Sequence, residues 1–62
     1  MNIKFQTLDR TTTVLYISAR RMLIRVANGE RQEVAISPAQ ALEIENMAYY
    51  GNDRNWTVEM VA

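Results

Sequence analysis

Glu43 and Glu45 are the nearest this chain comes to a pair of catalytic carboxylates, and their separation is wrong for the task. Two positions apart on a helix do not face each other, so these acids cannot work jointly on one bond. A carboxylic acid kept protonated at neutral pH also needs a deep apolar pocket, which a domain of 62 residues rarely encloses. There is no His and no Cys, which removes the commonest general base, the thiol nucleophile and the usual zinc ligands. Gly29 and Gly51 are the only glycines, too few for a loop that cradles phosphate. Asn52, Asp53 and Asn55 form an oxygen-rich segment that lacks the spacing and acidic count of a calcium loop. The chain is therefore expected to be no enzyme, with neither cofactor nor metal.

Binding is better represented than catalysis. Arg20, Arg21, Arg25 and Arg31 cluster in the middle of the chain. The planar guanidinium binds carboxylates bidentately and stacks on aromatic rings, so arginines among apolar residues suit a protein contact. The same set could grip phosphates, with Tyr16 or Tyr49 stacking on bases. It could equally be a solvated strand edge whose charge discourages aggregation. Seven basic side chains balance seven acidic ones. A neutral chain lacks the positive field of a dedicated nucleic-acid binder, and it has no net repulsion to prevent self-association. Met1 to Lys4 show no apolar signal core, and no apolar run approaches the roughly 20 residues of a membrane span. The expectation is a cytoplasmic protein without a membrane partner.

These side chains must be held by strands and one helix. Asn2 to Leu8 alternates, with Ile3 and Phe5 on one face. Thr11 to Ile17 is rich in β-branched and aromatic residues. If Asp9 and Arg10 form the loop between these segments, Phe5 pairs with Val14 and Ile3 with Tyr16. Ser18 to Arg21 reads either as a turn or as the middle of one bent strand. Across it Val14, Tyr16, Met22, Ile24 and Val26 keep one phase. Asn28-Gly29 is a strong hairpin signal. A two-residue turn there puts Ile24 opposite Glu33 and separates Met22, Ile24 and Val26 from Val34 and Ile36. A three-residue loop, Ala27 to Gly29, returns them to one face, and the odd length is the expected one. Ser37 can cap a helix, Pro38 fits its first position and Gln40 completes a capping box. Gly51 can end it. The helix should span Pro38 to Tyr50 with Ala41, Ile44, Met47 and Ala48 facing the core, and Trp56 to Val61 should form a last strand.

Val14 to Ile17 and Met22 to Ile24 are apolar at both odd and even positions. Neighbouring side chains on a strand point to opposite faces, so the sheet should be apolar on both sides. One helix covers one side. A closed barrel, a second copy or a different protein must cover the other. With the even residues facing the helix, the outward set is Leu15, Ile17 and Leu23, with Ala35 at its margin, and Arg21 and Arg25 share its parity. Trp56 is expected in the core. Tyr49 and Tyr50 point about 100° apart, so at least one belongs to a rim or interface. Glu45 lies inside the helix's apolar arc, either meeting an arginine from the sheet or waiting for a partner's cation.

The expected protein is a single α+β domain: an antiparallel sheet of four or five strands with one helix on a face, in β-β-β-β-α-β order. Its expected role is non-catalytic binding of a larger cytoplasmic protein, as an inhibitor or regulator that occludes a working surface. The partner-binding set is Leu15, Ile17, Arg21, Leu23, Arg25, Glu45, Tyr49 and Tyr50. The size and element order resemble the general style of small virus-encoded proteins that disable a larger host protein, a likeness that transfers no residues. The alternatives are a homo-oligomer that buries the same patch and a small nucleic-acid binder using the hairpin arginines.

Overall fold

The structure is a computed structural model that describes residues 1–50 and 55–61. It is a small α+β domain: β1 (Asn2–Thr7), β2 (Thr12–Ile17), a 3-10 turn (Ser18–Arg20), β3 (Met22–Ala27), β4 (Glu30–Ala35), α1 (Pro38–Tyr50) and β5 (Trp56–Val61). The strands form one antiparallel sheet in the order β4-β3-β2-β1-β5. β4 and β5 are free edges, so the sheet is open and does not close into a barrel.

The first hairpin has the expected register, with Phe5 opposite Val14 and Ile3 opposite Tyr16. Its strands stop at Thr7 and Thr12, and the Asp9 carboxylate organises the tip. Asp9 accepts hydrogen bonds from the Thr11 N–H at 3.1 Å and from the Thr7 and Thr11 hydroxyls, each at 2.8 Å. These bonds, the Thr11 N–H foremost, hold its carboxyl below the ordinary 3.8.

The next two connections correct the expected faces. Ser18 to Arg20 make a single 3-10 turn, and Arg21 follows in the left-handed region at φ 48°. The Arg21 N–H closes the turn onto the Ser18 carbonyl at 3.2 Å. The chain therefore turns rather than bends, and Tyr16 lies opposite Leu23 while Ile17 lies opposite Met22. Odd residues of β3 join even residues of β2 on one face. At the next hairpin Asn28 and Gly29 both take positive φ, 54° and 75°, the requirement of a two-residue type I′ turn. The loop is thus two residues long, not three, and Leu23 meets Val34 while Ile24 meets Glu33. The longer loop was expected only because Met22, Ile24 and Val26 had been given the helix face. With Leu23 there instead, the tight turn and the apolar pattern agree.

The helix starts as its sequence predicts. The Ser37 hydroxyl accepts from the Gln40 N–H at 3.2 Å, and the Gln40 side-chain carbonyl accepts from the Ser37 N–H at 2.9 Å. Crossing from edge β4 to edge β5, α1 lays Ala41, Ile44 and Ala48 against the sheet. Ile3, Phe5, Tyr16 and Ala41 form the buried core, flanked by Val14, Leu23, Ile36, Trp56 and Val58. Met47, expected in that stripe, is 51% exposed. The proposed helix end at Gly51 and the Asn52–Asp53 segment lie outside the described residues.

Candidate protein-binding surface

The face of the sheet turned away from α1 carries the surplus apolar surface. Cross-strand pairs share a face, and the registers assemble it row by row. Its middle row runs Glu33, Ile24, Leu15, Lys4, Glu59 from β4 to β5. One side row runs Ala35, Met22, Ile17, Asn2, Val61, and the other runs Arg31, Val26, Thr13, Gln6, Thr57. Leu15, Ile17, Met22 and Ile24 are half-buried, and Val26 is 41% exposed. Among the described residues no element lies over them. The result is an apolar stripe on β2 and β3 between polar flanks. The Gln6 amide donates to the Thr13 hydroxyl at 3.2 Å on one side of it, and Arg31 pairs with Glu33 at 2.8 Å on the other.

The expected partner-binding residues divide between several places. Leu15 and Ile17 are on the open face, as anticipated. Leu23 is not: the 3-10 turn reverses the parity of β3, so Leu23 packs against the core beneath the helix. Arg25 follows it to the helix face, opposite Val14 and Gln32, and is exposed. Arg21 belongs to the turn and to neither face. Arg20 ends the same turn, while Arg31 projects from edge β4 on the open face, so the four arginines do not converge. Met22, Ile24 and Val26 are the members that reading by parity missed. The Asn28-Gly29 pair was the signal that could have found them, because its two-residue turn matches Leu23, not Ile24, with Val34.

Glu45 corrects a second expectation. Its carboxylate accepts a hydrogen bond from the buried Tyr16 hydroxyl instead of meeting an arginine. Arg21 and Glu45 border the same shallow depression, but among the described residues they form no ion pair. Tyr16 is 1% exposed, and its phenol is pushed up to about 12, first by burial, then by the hydrogen bond it donates to Glu45 and by that carboxylate's charge. This pair fastens the helix to the sheet. Tyr49 and Tyr50 are both exposed, at 83% and 75%, with their rings edge to face at 5.1 Å.

On the helix face an apolar cleft of about 190 Å³ opens between α1 and the sheet. Phe5, Val14, Leu23 and Val58 form its floor, with Ile44, Met47 and Trp56 around it. Its lining offers no titratable group, so it provides no acid, base or nucleophile. Among the described residues no helix is long and apolar enough to cross a membrane. Comparison of the chain with protein-family models, curated proteins and solved structures finds no match.

Proposed function

We propose that this chain is a non-catalytic protein-binding module of the inhibitor or regulator type. Its working surface is the open face of the sheet, which covers a functional surface of a larger cytoplasmic protein. One observation carries the reading: Leu15, Ile17, Met22, Ile24 and Val26 form a contiguous apolar stripe that α1 does not cover. Val26 is exposed and the other four are half-buried, and an apolar stripe left open on one face of a small sheet is the kind of surface that marks an interaction site. The stripe also has the anatomy of an interface, an apolar centre with a polar and charged rim. Dispersal of the arginines gives the nucleic-acid alternative no continuous basic stripe to follow a phosphate backbone.

The test uses Ile24→Asp, which puts a charge in the centre of the stripe and leaves the core untouched. Far-UV circular dichroism should match the parent chain, while proteins recovered with the parent from its native host should be lost. Recovery of the same proteins by the folded variant would refute the reading.

A further inference from the structure

We infer that in the unbound chain the open face is closed by a second copy of this chain, related by a two-fold axis that runs along the strands between β2 and β3. The inference rests on the reading of that face as a protein-binding surface, and the second copy must leave before a larger protein can dock there. Two identical sheets meeting face to face are related by a two-fold axis lying in their interface, and such sheets pack roughly aligned about 10 Å apart. The axis can run across the strands or along them. With the axis across the strands and on the middle row, every residue of that row meets its own counterpart, so Glu33 faces Glu33, Lys4 faces Lys4 and Glu59 faces Glu59. That arrangement stacks like charges on both sides of the stripe.

Along the strands, with the axis between β2 and β3, the pattern becomes complementary. β3 of one copy lies over β2 of the other, and β4 lies over β1. Ile24 then covers the second copy's Leu15, and Met22 covers its Ile17. Glu33 on β4 falls over the second copy's Lys4 on β1, and the contact occurs twice by symmetry. Both groups can make it. Glu33 uses only Oε1 for Arg31, leaving Oε2, and Lys4 has no ion pair within its own subunit among the described residues. Four six-residue strands spaced about 4.8 Å apart give each copy a footprint of roughly 400 Å², about 800 Å² for the pair, which is below the roughly 1,000 Å² of a stable interface and fits only a weak, transient dimer held in register by its charges. A reversible dimer dissociating on the order of 10 μM is the expected result.

Sedimentation equilibrium of the full chain tests the arrangement. The parent should shift from monomer to dimer as concentration rises through that range. Glu33→Lys and Lys4→Glu each set like charges against one another and should weaken the dimer by about tenfold. The double variant K4E/E33K restores opposite charges across the axis and should recover most of that loss. A chain that stays monomeric, single variants without effect, or a double variant as weak as the singles would each overturn the inference. A photo-crosslinking residue at position 24, used in cells, separates the two levels of the argument. An adduct of twice the chain mass supports the second copy. An adduct only with a larger protein overturns the dimer but keeps the surface, and no adduct overturns both.

Discussion

Replacing Glu45 with alanine should damage this domain more than removing the hydroxyl it binds. The Tyr16 oxygen is inside a side chain that is 1% exposed, whereas Glu45 is half-buried on the helix and can be reached by water. In Glu45→Ala the hydroxyl keeps its place in the core and loses its acceptor. A buried polar group orphaned in this way costs about 2 kcal/mol. In Tyr16→Phe the hydroxyl is gone and water can take its position on the carboxylate, so the loss is nearer to about 1 kcal/mol. Since about 1 kcal/mol moves the melting temperature of a domain this size by roughly 4–8 °C, the variants should separate clearly. The double variant Y16F/E45A has no orphan and should be more stable than Glu45→Ala alone, a non-additivity typical of contacting residues. Urea and thermal melts followed by circular dichroism measure all three.

The same pair makes an alkaline prediction. The folded phenol is raised from 10.0 to about 12, so between those values the unfolded chain releases a proton that the folded chain retains. Stability attributable to Tyr16 is therefore intact below pH 10 and declines as the pH rises through about 12. Tyr16→Phe should lack that decline. Additive losses in the double variant, or parallel alkaline profiles for parent and Tyr16→Phe, would refute the view that this contact fastens helix to sheet.

Neighbouring positions on β3 should behave oppositely. Leu23→Asp puts a charge among core residues and should unfold the chain, at a cost of about 3 kcal/mol or more, whereas Ile24→Asp should leave its circular dichroism spectrum unchanged. Gly29→Ala meets no atom within 4 Å, yet φ of +75° strains any residue with a Cβ, so chemical denaturation should show a loss of about 1 kcal/mol. Ser37→Ala removes one half of the capping box and should cost about 1 kcal/mol by the same measurement.

What the chain alone determined is what neighbouring residues decide among themselves. Ser37, Pro38 and Gln40 start the helix because cap, ring and side-chain amide meet the backbone groups of a single turn. Asn28 and Gly29 make their turn because both tolerate positive φ. Ile3 and Phe5 find Tyr16 and Val14 because one face of each strand is plainly apolar. The composition of the binding surface was not decided locally. Val14 to Ile17 and Met22 to Ile24 are apolar at every position, so their pattern does not say which residues turn inward. That depended on how many residues the chain spends between β2 and β3, and on Arg21, a residue type with no preference for the left-handed region it occupies. Tertiary packing resolved it by giving Tyr16 and Leu23 to the helix and leaving Leu15, Ile17, Met22 and Ile24 to the open side. A strand's face is a relation to what lies over it, and only the assembled sheet and helix supply that relation.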